Sequence, residues 1–202
     1  MKVAVIGASG RGGSRIVDEL AQRGHQVTAI ARNPEKIKAQ ANVTAVKGDL
    51  FDAGFHGLLS GHDAVVSAVH FSASDPRKLI EAVRASGAKR YFVMGGAGSL
   101  EVAPGVRLID TPTFPAMYKD EAAKGADFLD MLRKESDLDW TFLSPAAMID
   151  FGARTGKFRL GKDQLLVDEH GKSTISFEDY AVAVVDELER PQHSRQRFSV
   201  AY

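Results

Sequence analysis

A short apolar run that breaks into glycines constrains this chain more than any other feature. Val3-Ala4-Val5-Ile6 stops at Gly7, and Gly7-Ala8-Ser9-Gly10-Arg11-Gly12-Gly13 leads into a stretch where Ile16, Val17, Leu20 and Ala21 recur at helical spacing. The continuous run reads as a strand covered on both faces, and the later period as an amphipathic helix from Arg11 to Arg23. Gly24-His25 stops that helix, and a second apolar run spans Val27 to Ala31. Strand, glycine turn, helix and strand form a βαβ unit, which commits the chain to parallel pairing.

The alternation continues. Asn33-Pro34 opens a short expected helix over 35–39, and Val43 to Val46 is a third strand. The pattern predicts a brief helix over 51–59, a strand over 64–68 and a helix from Asp75-Pro76 to about residue 85. A strand over 90–94 empties into Gly95-Gly96-Ala97-Gly98-Ser99. Residues 96–118 carry three prolines, Pro104, Pro112 and Pro115, and no period, and a loop that long has a job beyond connection. A long helix is expected over 115–134 and a sixth strand over 140–143. Between 146 and 175 glycines separate 157–160 and 164–167, which read as small strands or a hairpin. Ser176, three residues before Asp179, caps a last helix to about residue 188. A strand over 197–200 ends the pattern. These elements predict one α/β domain over 1–202, a doubly wound, mostly parallel sheet with helices on both faces and a small C-terminal appendage. The segments 96–118 and 147–170 are its expected substrate-side loops.

Ligands of such sheets lie beyond the carboxyl ends of the strands, where strand order reverses. Gly7 ends the first strand there, and the following helix N-terminus offers free N–H groups and a positive dipole end to a pyrophosphate. Gly7, Gly10 and Gly13 recur at three-residue intervals and let backbone turn tightly or approach phosphate, with Gly12 adding a further close approach. Ser9 can contribute a hydroxyl, and Arg11 can lie over phosphates or adenine. The spacing departs from the standard G-x-G-x-x-G, but its place in the first βα turn makes dinucleotide binding the expectation.

The end of the second strand chooses between dinucleotides. An NAD site places an acid there for the adenosine 2′-hydroxyl. Here Arg32 stands in its place, and its planar fork of donors suits a 2′-phosphate. NADP(H) is therefore the expected cofactor and NAD(H) the alternative; a solvated surface arginine is the competing reading. Arg11 and Lys36 are candidates to reinforce the phosphate site. Asp49 ends the third strand, where it can accept from the adenine amine with Leu50 against the ring, or instead cap the next helix.

Composition narrows the rest. Lys plus Arg and Asp plus Glu both number 26, so no net field recruits nucleic acid or an anionic membrane. There is no cysteine, which removes disulfides and thiolate chemistry. No apolar run approaches the roughly 20 residues of a membrane span, and Met1-Lys2 enters the first strand directly, so a soluble cytoplasmic protein is expected. The histidines show no metal-ligand spacing, and no metal is expected. Monomer and homodimer both stay open.

These residues resemble the atypical short-chain dehydrogenase/reductase superfamily, closest to its NmrA-like and NADH-flavin reductase branch, which includes biliverdin-IXβ/flavin reductase. The resemblance also draws on Gly24 to Pro34, Gly48-Asp49-Leu50, Trp140 to Pro145 and Ile175 to Ala181. It implies a Rossmann-like fold with Ser67, Ala68 and Val69 along the nicotinamide ribose. It also implies Pro145 and Ala146 near the nicotinamide, with Gly95 at the same edge.

Many members use a Tyr and Lys separated by three residues. Here Tyr118 is followed by Ala122, so that pair is absent. The remaining catalytic candidates are Tyr118, as proton or hydrogen-bond donor, Ser99 beyond the fifth strand, and His70 beyond the fourth. Each has a bland alternative: an anchoring aromatic, a loop hydroxyl out of register, a residue on the site rim. Phe114, Met117, Tyr118, Met148 and Phe151 are expected wall residues for a small-molecule hydride acceptor. The expected function is an NADPH-preferring reductase of flavin-like, quinone-like or small carbonyl acceptors. An NmrA-like dinucleotide sensor with little catalysis is the alternative, and an isomerase or epimerase the third reading.

Overall fold

The computed structural model describes residues 1–202. Its main sheet has eight strands: β1 (Lys2–Ile6), β2 (Gln26–Ala31), β3 (Val43–Lys47), β4 (Ala64–Ser67), β5 (Arg90–Met94), β8 (Asp139–Ser144), β10 (Arg159–Gly161) and β12 (Gln196–Ala201). They lie in the order β10-β12-β8-β5-β4-β1-β2-β3, parallel throughout except for β10 against β12. Strand order reverses between β1 and β4, which pair directly, Ile6 beside Ser67.

Four helices cover the sheet: α1 (Arg11–Gln22), α2 (Pro76–Ser86), α3 (Lys119–Arg133) and α4 (Phe177–Glu189). The strand runs lack alternation because each face meets a core. Val3, Val5, Val27, Ala29 and Phe92 pack with Ile16, Leu20, Tyr180 and Val184 of α1 and α4. Ala4, Ile6, Val65, Tyr91 and Phe142 pack on the other face with Leu79 and Val83 of α2 and Phe128 and Leu132 of α3. The doubly wound fold expected from the sequence is the fold observed.

Several local expectations need correction. The helix expected over 51–59 is a 3-10 turn at Phe55–Leu59, which starts only after Gly54 at φ +81. The helix over 35–39 is likewise one 3-10 turn, Pro34–Lys36. The long helix begins at Lys119, after a separate turn at Ala116–Tyr118. The loop 96–118 contains a small hairpin, β6 (Glu101–Ala103) and β7 (Val106–Arg107), turning at Pro104-Gly105. No hairpin joins 157–160 to 164–167: β10 extends the main sheet, and Gln164 makes only an isolated bridge to Glu101. Two short strands unforeseen in the pattern, β9 (Met148–Asp150) and β11 (Thr174–Ser176), pair in parallel beside the sheet.

Candidate functional site

Three of the helix starts differ in a way that locates the site. Asp75 caps α2 by accepting from the amides of Arg77 and Lys78, and Ser176 caps α4 by accepting from Asp179. Such caps are worth about 1 kcal/mol each. The N-cap of α1 is Gly10, which offers no side chain. The amides of Gly7 and Ala8 are used by the Ile30 carbonyl and that of Gly10 by Gly7, whereas those of Ser9, Arg11, Gly12 and Gly13 have no protein partner. Four unpaired donors at the positive end of a twelve-residue helix fit an anionic pyrophosphate.

The glycines divide into distinct roles. Gly7 has φ +80, and a Cβ there would overlap the Ala68 carbonyl at the end of β4. A Cβ on Gly13 would overlap the Gly7 carbonyl, and one on Gly12 the Met94 thioether. Gly12 therefore makes room for packing against β5 on its Cα side, while its amide stays unpaired at the helix start. Gly10 is the permissive one: its nearest neighbours would be the Gly7 carbonyl at 3.2 Å and the Ala68 carbonyl at 3.8 Å.

The residues expected at the adenosine end lie along β2 and β3. Arg32 is exposed at the end of β2, with no hydrogen bond or ion pair to the protein, and Lys36 is likewise exposed. No carboxylate neutralises Arg32, so its fork is free for an anion. Asp49 is half-buried, and its Oδ1 accepts from the amide of Phe51 at 3.1 Å. One oxygen thus closes a local turn, and the other has no protein donor. Leu50 is half-buried against the α2 and α3 core.

The opposite end is built from β4, β5 and β8. The Ser67 hydroxyl is buried and pairs with Tyr91 Oη at 2.9 Å. Burial pushes the Tyr91 and Tyr180 hydroxyls well above the ordinary phenol range. Both are neutral hydrogen-bonding groups. Tyr180 donates to the Leu143 carbonyl at 2.7 Å, the same oxygen that accepts from the Gly95 amide at 2.8 Å. That shared acceptor fixes the ends of β5 and β8, and with them Gly95, Pro145 and Ala146, the last two buried. Val69 packs half-buried beside Gly7.

The catalytic candidates occupy three different settings. Tyr118 is 56% exposed and its hydroxyl has no partner, next to Met117 at 80%. His70 sits on the rim, its side chain largely exposed and its Nδ1 3.4 Å from Glu121 Oε1. Glu121 accepts from the amides of Phe71 and Ser72, each at 2.8 Å. Burial raises its pKa, but those hydrogen bonds and the neighbouring His70 outweigh burial and hold the carboxyl below its ordinary range. Ser99 turns the other way: its Oγ accepts from Arg197 Nη1 at 3.3 Å, in a cluster with Ser144 and Asp163.

The surrounding chain explains what sequence patterns missed. Gly98 and Gly125 let α3 close on the Ser99 loop and on the Phe71 ring; a Cβ on Gly98 would lie 2.7 Å from that of Ala122. The segment 147–170 is not one roof. Residues 152–156 run along α1 and α4, held by Arg154 on Glu19, by the Gly152 amide on Glu178, and by Thr155 and Gly156 on buried Asp179. Ahead of that stretch, Met148 is 70% and Phe151 50% exposed. Phe114 is half-buried, and no group of acids and histidines could hold a metal ion. No helix is long and apolar enough to cross a membrane.

Comparison with known proteins gives the family. A family model described as NAD(P)H-binding matches residues 7–191. The Bacillus subtilis protein YwnB is 42% identical over 99% of this chain and 98% of its own. A solved Bacteroides thetaiotaomicron protein, titled a candidate epimerase, is 41% identical with a TM-score of 0.95, covering 100% of this chain and 96% of that one. A Streptococcus pneumoniae protein, titled a candidate NADH-flavin reductase, is 41% identical with a TM-score of 0.86 over 100% and 99% of the two chains. With its uncapped glycine turn and a match across nearly its whole length, the chain belongs to the NAD(P)H-binding Rossmann-fold family, related to the NmrA-like and NADH-flavin reductases.

Proposed function

We propose that this protein is a reductase that prefers NADPH and passes hydride to a flavin-like, quinone-like or small carbonyl acceptor. The observation that carries this reading is the row of unpaired amides at Ser9, Arg11, Gly12 and Gly13, accompanied by an unpaired Arg32 at the end of β2. The amides of Ser9, Arg11, Gly12 and Gly13 hold the pyrophosphate, Arg32 holds the 2′-phosphate, and Asp49 with Leu50 borders the adenine. The strand ends at Val69, Gly95, Pro145 and Ala146 border the nicotinamide. A reduced dinucleotide bound there supplies the hydride.

The chain's own residues do the rest. Met117, Tyr118, Met148 and Phe151 present apolar surface against which a flat acceptor stacks. Tyr118 is the hydroxyl free to hydrogen-bond that acceptor, and the exposed rim lets solvent deliver the proton. Ala122 stands where a proton-relaying lysine would follow Tyr118, which disfavours substrates that need a strong protein acid, such as sugars undergoing epimerisation. The same missing lysine favours a second reading, a dinucleotide sensor without turnover. An acceptor panel of flavins, quinones and small carbonyls, run in parallel with NADPH and NADH, separates the two. Sustained NADPH oxidation with a planar acceptor supports the reductase; tight binding with no turnover on any acceptor supports the sensor.

A further inference from the structure

Arg11 joins the two ends of the site. It is the first residue of α1, among the unpaired amides, yet its guanidinium reaches across to the chain leaving β8. Its Nη2 pairs with Asp150, the last residue of β9. Its central carbon lies 4.7 Å from the Phe151 ring centroid and 5.0 Å from that of Phe177. Asp150 Oδ1 also accepts from the Phe151 amide at 2.7 Å. One carboxylate therefore holds both the phosphate-side arginine and the rim residue Phe151.

We propose that Asp150 is an internal counter-ion that competes with the dinucleotide pyrophosphate for Arg11. This competition lowers cofactor affinity and couples cofactor binding to the 148–151 rim. The inference rests on the reading that the N-terminus of α1 holds the pyrophosphate. Three observations favour exchange over a fixed pair. The Arg11 and Asp150 side chains are 56% and 76% exposed, so the pair is cheap to open. Arg11 lies against both Phe151 and the buried Phe177, whose ring centroids are 5.4 Å apart, a cation–π seat that keeps the guanidinium in place while its anion changes. Beyond Phe151 the chain is pinned again by the Gly152 amide on Glu178 Oε2 at 2.8 Å, and Glu178 is itself held by Arg15 Nε at 2.7 Å. Because β9 is itself paired with β11, the response is confined to the Asp150 side chain and the Phe151 amide. Once Arg11 faces the pyrophosphate, Asp150 is left as a like charge beside it and turns toward solvent, releasing the Phe151 amide.

The test is calorimetric titration of NADP⁺ into wild type, Asp150→Asn, Arg11→Ala and the double variant, with Asp150→Ala as a second replacement. Hydrogen exchange is followed across 148–152. Removing the competitor should tighten binding about 3- to 5-fold, the worth of opening an exposed ion pair. In the Arg11→Ala background the same replacement should change affinity less than about 2-fold, because the two act as one unit. NADP⁺ should speed exchange at the Phe151 amide in wild type and leave it unchanged in Asp150→Ala, where no side-chain acceptor holds that amide. Unaltered or weaker binding by both replacements would overturn the proposal. So would an equal gain in both backgrounds, which would mean diffuse repulsion and not competition for Arg11. A wild type that does not bind NADP⁺ would instead overturn the cofactor reading itself.

Discussion

Ala68 turns its carbonyl oxygen into the space that a Cβ on Gly7 would need. The two residues directly follow β4 and β1, the neighbouring strands at which sheet order reverses. The floor of the dinucleotide site is therefore two backbones in contact, and the glycine turn is in part a packing device. Gly13 against the Gly7 carbonyl and Gly12 against Met94 repeat that role.

This division predicts opposite outcomes at two glycines. Gly13→Ala should destabilise the fold by about 1–3 kcal/mol, as overpacking against fixed backbone does. Gly10→Ala should leave the melting temperature within a few degrees and weaken dinucleotide binding about 10-fold or more, since only the 3.2 Å approach to Gly7 must adjust. Thermal denaturation and calorimetry on the two variants read this directly. Equal loss of stability in both would contradict the assigned roles.

Much of this was legible in the sequence, and the physical reasons differ by region. Buried parallel strands read as unbroken apolar runs, so β1, β2 and β4 are visible without a structure, as is α4 from its Ser176 cap. The 3-10 turn at Phe55–Leu59 was not legible, because Gly54 and Gly57 are silent to an apolar count that also fits a helix. Gly12 illustrates a subtler limit: that its missing Cβ also makes room for Met94 is invisible in the sequence. The course of 152–156 depended on Arg154 reaching Glu19 and on Asp179 gathering Thr155 and Gly156, long-range pairings that local spacing does not encode. Ser99 was singled out by its place after β5, but its hydroxyl is oriented by Arg197, almost a hundred residues on.

Tyr118→Phe should lower kcat/KM for a reducible acceptor about 5- to 10-fold, the loss of one hydrogen bond to substrate, without altering dinucleotide affinity. Steady-state kinetics paired with a binding titration separates the two quantities. An unchanged rate would make Tyr118 a wall residue only.

Glu121 gives a signed pH dependence. Its folded pKa lies below the ordinary 4.5, through the Ser72 and Phe71 hydrogen bonds and His70 acting against burial. The stabilisation it brings is therefore fully present above that ordinary value and is lost as pH falls through the lowered one. Wild type should exceed Glu121→Gln in melting temperature at pH 7, and the gap should shrink below pH about 4.5. A gap independent of pH would show that the carboxylate charge on the Phe71 turn is immaterial.

The central claim is that Arg32, standing where an NAD site would place an acid, selects NADPH. Matched calorimetric titrations of NADPH and NADH into wild type and Arg32→Ala test it most directly. Wild type should bind NADPH about 10-fold or more tightly than NADH, and the variant should lose about 10- to 100-fold for NADPH, the worth of one or two charge-assisted hydrogen bonds, with NADH affinity within about 2-fold. Equal losses for the two dinucleotides, or a wild type that prefers NADH, would contradict the account.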